Sequence, residues 1–225
     1  MALIRHDVDL WSAQSELAWQ AGLVPIPIRM TVIRIADGRL LLHSPIELTP
    51  ELRAELDALG PVGFITVPYA HGRFAEAAAK AWPAAELLAA ARIPGGRESL
   101  PFRGAVADDP PEAWAGRIES HLVRGFRLFE TVFFHVPTRT LVITDLAFHV
   151  QRASTGFARF FFRANGMWRS FGPSRVIRRL TVSDKGAFRA SIDRICQWDF
   201  ERILPAHGDV LERGGPAALR AAWRL

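Results

Sequence analysis

The chain has 225 residues, 49% of them hydrophobic and 23% charged, the make-up of a globule able to bury a sizeable core. This excludes a disordered tail, a collagen-like chain and a disulfide-stapled miniature; the single cysteine, Cys196, also excludes an intrachain disulfide or a zinc site built from cysteines. Twenty-eight Lys plus Arg against 23 Asp plus Glu give a net charge of +5, ordinary for this size, so any basic character that matters must be local.

The first residues reach Asp7 and Asp9 before any apolar stretch forms, which is not a signal-peptide pattern. No window approaches the roughly 18 unbroken apolar residues of a membrane span, and a cytoplasmic location is the expectation. Residues 29–43 read as two β-rich runs around Asp37-Gly38, a pair suited to a two-residue hairpin turn. Thr49, Pro50 and Glu51 open a helix whose Leu52, Leu56 and Leu59 share a face, and Gly60-Pro61 closes it. VGFITVPY is a strand stopped by Pro68, followed by a loop with His71, an alanine-rich helix closed by Pro83, and a strand in AELLAA. Residues 92–117 read as loop with a short helix near Glu112 to Ala115. Three strands follow in IESHLVRG, TVFFHV and TLVITDL, the last two joined by a tight turn at Pro137 and Thr138. Residues 151–180 form a helical, basic and aromatic segment. Ser183-Asp184 caps a helix with Phe188, Ile192 and Ile195 at core spacing, ERILPAHGDV is a last strand and loop, and Gly215-Pro216 opens a closing helix. The order predicts an α/β fold with helices on sheet faces, in a single domain over residues 1–225. Trp11, Trp19 and Trp223 fit either core positions or a contact between copies.

Three stretches share one form, an apolar strand followed by a loop with a metal-capable side chain. They are ITVPYAH ending at His71, TLVITD ending at Asp145 and RILPAH ending at His207. Two imidazoles and a carboxylate suit Zn²⁺, with Fe²⁺ or Mn²⁺ as the other candidates. Each also has a structural reading: His71 as a loop histidine at a helix start, Asp145 and His207 as turn residues, the last beside Gly208.

The run from MTVIRIADGRLLLHSPIELTPELRAELDALGP through VFFHVPTRTLVITDL to ILPAHGD resembles the metallo-β-lactamase superfamily, in its DUF4336 branch. The resemblance implies a four-layer αβ/βα metallo-β-lactamase-like sandwich of two mixed sheets covered by helices, with a metal site at one edge. The superfamily's H-x-H-x-D-H loop falls on Thr66, Pro68, Ala70 and His71, so only its last histidine remains. The bridging aspartate falls on Asp145 and the final histidine on His207. RGFRLFE, where a middle histidine belongs, has none, and Glu130 is its nearest potential ligand. The resemblance therefore implies a degenerate site: the first metal's ligands are gone, and the second metal keeps His71, Asp145 and His207. One divalent metal, or none, is the cofactor expectation. A metal-bound water is the expected nucleophile, on a small ester, lactone, thioester or phosphoester. The alternative is a non-catalytic binding module that keeps the sandwich without its metal. Around this set, His43 is a candidate supporting or substrate-contacting residue, His149 a substitute ligand, and Asp209 the acceptor orienting His207. His135 reads as structural.

From Leu146 to Ser183 there is no Asp or Glu, while seven arginines stand among bulky aromatics. Phe157, Phe160 and Phe161 recur at helical spacing, with Arg159 and Arg163 together on another face. This segment reads as a helix packed on the sheet with snorkelling arginines. As a functional feature, Arg159 and Arg163 would form a rim for an anionic or amphiphilic small-molecule substrate, or a peripheral contact with anionic lipid. Without a recognisable binding motif, nucleic acid is not the expected partner.

Overall fold

A computed structural model describes residues 2–19 and 23–224. Seven strands form the first sheet in chain order: β1 (Ile4–Asp7), β2 (Leu10–Trp19), β3 (Val24–Arg34), β4 (Leu40–His43), β5 (Val62–Pro68), β6 (Glu86–Ala90) and β7 (Gly104–Val106). It is antiparallel through β4 and parallel from β4 to β7. The helices α1 (Pro50–Leu59) and α2 (Ala75–Ala81) supply crossovers in the parallel half. The second sheet holds β8 (Ile118–Leu122), β9 (Thr131–His135) and β10 (Thr140–Ile143). A small ribbon of β11 (Phe148–His149) and β12 (Phe171–Gly172) follows, with α3 (Gly156–Ala164) between its strands and α4 (Arg175–Leu180) and α5 (Lys185–Ile195) after it. The chain then returns as β13 (Arg202–Pro205), parallel to β10, so the spatial order is β13-β10-β9-β8, and α6 (Gly215–Trp223) closes it.

Three apolar layers hold this together. Leu52 and Leu56 of α1 and Ala75 and Ala78 of α2 pack on Val32, Leu42, Ile65 and Val67 of the first sheet. Phe188, Ile192 and Ile195 of α5 and Leu219 and Trp223 of α6 pack on Val132, Leu141 and Ile203 of the second. Between the sheets lie Leu41, Phe64 and Leu88 on one side and Phe133, Val142 and Leu204 on the other. The result is the four-layer αβ/βα sandwich of two mixed sheets.

Local chemistry explains most element boundaries. Thr49 accepts from the Leu52 amide at 3.2 Å to cap α1, and Asp184 accepts from the Ala187 amide at 3.0 Å to cap α5. The Asp37-Gly38 turn is longer than two residues: Ile35 pairs with Arg39, and Gly38 takes a positive φ of 87° in a three-residue loop. Residues 92–117 contain a strand, β7, in addition to the turn at Glu112–Trp114.

Two expectations are corrected more substantially. The segment 151–180 is not one helical stretch; α3 ends before Gly166, β12 intervenes at Phe171–Gly172, and α4 starts afresh after Ser174. On α3 the buried face is Ala158 and Phe162, whereas Phe157 and Phe160 face solvent. Ahead of the β-rich runs read from residue 29, Ile4–Asp7 and Leu10–Trp19 form β1 and β2, and β3 begins at Val24, through Pro25 and Pro27. Prolines are tolerated there because β4 pairs only with Thr31 to Arg34, so the preceding half of β3 has β2 on one side and, among the described residues, no strand on the other.

Trp114 spans the inner layer. Its ring meets Phe64 of the first sheet edge-on at 5.5 Å and Phe133 of the second at 5.8 Å. Trp114→Ala should therefore lower the free energy of unfolding by about 3–5 kcal/mol in urea titration. A loss below about 1 kcal/mol would mean that the two sheets do not depend on this contact.

Candidate metal centre

The three candidate ligands stand at the carboxyl ends of strands from both sheets. His71 lies three residues beyond β5, its amide bonded to the Pro68 carbonyl at 3.0 Å. Asp145 and His207 each lie two residues past β10 and β13. Because those two strands run parallel in register, Ile143 beside Pro205, their loops leave at the same edge, and the Ala206 amide extends the ladder to the Ile143 carbonyl at 2.9 Å.

The side chains converge. His71 Nε2 is 3.2 Å from His207 Nε2 and 3.4 Å from Asp145 Oδ2, and His207 Nε2 is 3.5 Å from Asp145 Oδ1. Two ligand atoms each about 2.0–2.1 Å from a tetrahedral centre are about 3.3–3.4 Å apart; the imidazole nitrogens stand near that spacing, and each faces its own oxygen of the Asp145 carboxylate, so the three side chains close on a common space. The donor set, two imidazole nitrogens and a carboxylate, fits a divalent ion of the zinc type. It leaves at least one position open.

Each ligand is held by a partner that sets its orientation. His207 Nδ1 lies 2.9 Å from the Pro27 carbonyl, which can only accept, so the neutral ring carries its proton there and turns the Nε2 lone pair into the cluster. Phe148 stacks on the same ring at 4.8 Å and 10°. His71 Nδ1 pairs with the Ser44 hydroxyl at 2.7 Å. Asp145 is placed through its backbone: the buried Glu130 carboxylate accepts from the Thr144 amide at 2.6 Å and the Asp145 amide at 2.9 Å. The His207 loop is anchored by Arg29, which is 1% exposed and donates to the Pro205 and Gly208 carbonyls on either side of the histidine. Gly208 has a φ of 97°, and a Cβ there would fall 2.2 Å from the His149 carbonyl, so the loop requires glycine.

The electrostatics follow from burial and proximity. Burial opposes ionisation of Asp145, but His71 and His207 outweigh it and hold the carboxyl far below its usual range. Burial likewise opposes a charged His71, and the Asp145 carboxylate overcomes it and raises the imidazole above its ordinary value. Burial, with the Asp145 charge, pushes Glu130 up to about 8. His43 is driven down to about 3, first by burial and then by His71.

Several expectations about neighbouring residues change. Asp209 does not orient His207; it pairs with Arg152 at 2.8 Å, and the Pro27 carbonyl takes the orienting place. His149 does not swing inward as a ligand: its Nε2 accepts from the Gln151 side-chain Nε2 at 2.6 Å and its Nδ1 faces the Asp209 carbonyl at 3.1 Å. It is the His149 backbone that supports the site, its amide bonding the His207 carbonyl at 3.0 Å. Glu130 is outside the three-residue cluster, beneath the Asp145 loop. His43 pairs with Thr66 Oγ1 at 2.9 Å and packs edge-on against Phe133. Arg159 and Arg163 do not line the cavity at the site. That cavity, about 210 Å³, is walled by Leu17, Ile26, Ile28, Ile46, Phe74 and Phe148 around the three ligands, and its arginine is Arg73. Ser44, Pro27 and Arg29 were not foreseen. The one signal for Arg29 was a lone arginine within an apolar run.

The fold has close counterparts of known structure. A metallo-beta-lactamase from Hirschia baltica superposes with a TM-score of 0.65 at 12% identity, covering 99% of this chain and 96% of that one. One from Pontibacter korlensis gives 0.63 at 14%, covering 100% and 97%. The metal-soaked Flv1 flavodiiron core from Synechocystis sp. PCC6803 gives 0.63 at 12%, covering 99% of this chain and 60% of that chain. The architecture is thus the metallo-β-lactamase fold. No curated protein sequence matches the chain. Residues 10–160 match the family model described as domain of unknown function DUF4336, and the chain belongs to that family.

Two expected outcomes follow from the supporting residues. Arg29→Met removes the donor to the buried Pro205 carbonyl and to the half-buried Gly208 carbonyl and should cost about 1–3 kcal/mol of stability in denaturant titration; an unchanged midpoint would show that the loop holds itself. His43 and His135, the latter lowered to about 4 chiefly by burial, are kept neutral in the fold but titrate near 6.5 when unfolded. The unfolded chain then binds more protons as the pH falls through that interval. Their contribution is present above about 6.5 and is lost toward 4, at about 1.4 kcal/mol per unit of depression. Melting temperature should drop steadily from pH 7 to pH 4, and a flat profile would contradict their burial as neutral rings.

Proposed function

We propose that the protein is a divergent metallo-hydrolase-like enzyme in which His71 Nε2, His207 Nε2 and an Asp145 oxygen hold one divalent metal. Zinc is the first candidate, iron or manganese the others. The observation that carries this reading is the convergence of three side chains from distant parts of the chain, the imidazole nitrogens 3.2 Å apart and each within 3.4–3.5 Å of an Asp145 carboxylate oxygen. A bound ion would supply Lewis acidity, polarising a carbonyl or phosphoryl oxygen and acidifying water. The chain's own residues do the rest. The Pro27 carbonyl and Ser44 hydroxyl aim the imidazoles, and Glu130 and Arg29 fix the two loops that meet there. The apolar cavity walls exclude water from the uncharged part of a substrate, and the exposed Arg73 at the same cavity favours an anionic or amphiphilic one. A small ester, lactone, thioester or phosphoester fits these requirements. Ala70 stands where the superfamily loop has an aspartate, which leaves the ion one protein ligand fewer and weakens its hold.

A second reading has its own observation. With a proton on His71 Nε2, that ring can donate to Asp145 or His207 and pair its charge with the Asp145 carboxylate without an ion, as a buried charged cluster in a binding module that performs no chemistry.

Elemental analysis separates the two. Protein prepared without chelator is expected to carry roughly one metal per chain, and Asp145→Ala and His207→Ala should each abolish it. Adding the ion to stripped protein should raise the melting temperature, since a ligand bound only by the folded state stabilises it. Metal-free protein whose melting does not respond to Zn²⁺, Fe²⁺ or Mn²⁺ would decide for the binding module.

A further inference from the structure

The segment between Leu146 and Ser183 serves the metal centre only through Phe148 and the His149 backbone at its start, yet its composition is the most polarised in the chain. It has seven arginines and no acidic residue, and among the described residues only Arg152 of these makes an ion pair. Its helix α3 buries Ala158 and Phe162 against the start of β3 and β11. The opposite side is not polar, as an ordinary surface helix would be. Phe157 is 51% exposed and Phe160 67% exposed, neighbours at i and i+3, and Arg159 and Arg163, also exposed, lie one turn apart beside them. Trp19, at the end of β2, is 43% exposed and touches Phe161 at 5.4 Å, so the apolar strip continues onto the hairpin.

We propose that this face, with Phe157, Phe160 and Trp19 as the apolar contact and Arg159 and Arg163 as the charged one, docks on an anionic lipid surface. Aromatic rings flanked by arginines suit the boundary between headgroups and acyl chains: the rings enter the apolar layer while the guanidinium groups remain with the phosphates. The absence of any carboxylate in the segment removes the repulsion that an anionic surface would otherwise meet. A second copy of the chain is a poorer occupant, because two-fold self-association would set this arginine-rich patch against itself. Nucleic acid is poorer too, since the rings stand on a convex helix and not along a groove that could track a strand. Leu17, which lines the candidate metal centre's cavity, precedes Trp19 by two residues and so points to the same side of β2. Docking through Trp19 therefore brings the cavity's β2 wall close to the lipid. The proposal does not depend on metal being bound.

Co-sedimentation with vesicles tests it. Wild-type protein should pellet at low salt with phosphatidylcholine vesicles containing phosphatidylglycerol, and should stay in solution with pure phosphatidylcholine. Arg159→Gln/Arg163→Gln should lower the partition coefficient about 30-fold. Phe157→Ser/Phe160→Ser should lower it by about tenfold or more, even at low salt. All four positions are exposed, so circular dichroism and melting temperature should be unchanged, separating lost docking from lost folding. Absence of binding to the anionic vesicles, or binding equal in wild type and both double variants, would overturn the proposal. A concentration-dependent dimer in sedimentation velocity that Phe160→Ser dissolves would also overturn it, by assigning the face to a second copy.

Discussion

The parallel pairing of β10 with β13 is the constraint on which the site depends. Register from Leu141 beside Ile203 to Ile143 beside Pro205 makes both strands stop at one edge, so the loops bearing Asp145 and His207 emerge side by side. The inner apolar layer then fixes the second sheet against the first, and β5 delivers His71 to the same edge. The convergence is thus a property of sheets, which are stiff, and the loops have only two or three residues in which to wander. A geometry of a few ångströms is maintained between residues more than sixty positions apart because nothing flexible separates them from a ladder.

The strand-end histidines and aspartate were legible because apolar runs that halt at a polar, metal-capable residue are a local pattern. The layers were legible for the same reason: Leu52 and Leu56, or Phe188 and Ile192, carry the helical period on their own. What escaped lay in β2 and the start of β3. In β2, Ser12, Gln14 and Glu16 alternate with Trp11, Ala13 and Leu17, a strand period that the sequence reading passed over, and in β3 two prolines break the usual strand signature, although both strands are well formed. In the sequence the strand reads from Arg29, without the five residues of β3 before it, so the Pro27 carbonyl was not assigned to His207, and the nearby Asp209 stood in for it. His149 illustrates the complementary error. Its ring was the visible chemistry in the sequence, whereas the structure uses its amide and carbonyl.

The polar groups below the edge form a consistent set. Glu130 and Arg29 are both almost wholly buried, and each serves backbone atoms: the carboxylate gathers amides under Asp145, and the guanidinium gathers carbonyls around His207. Burying an ionisable group is costly unless its hydrogen-bonding capacity is met. Here that cost secures the two turns past the strand ends, where the candidate ligands stand.

The unpaired half of β3 carries a different consequence. An open strand margin normally invites another chain to add itself, the first step of edge-to-edge aggregation. Pro25 and Pro27 occupy alternate positions on β3 and have no amide hydrogen, so an incoming strand would find two of its expected donors missing. The margin that frees a carbonyl for His207 is thereby a poor template for adhesion. Two residues that obscure the strand in the sequence keep it solitary in the folded molecule.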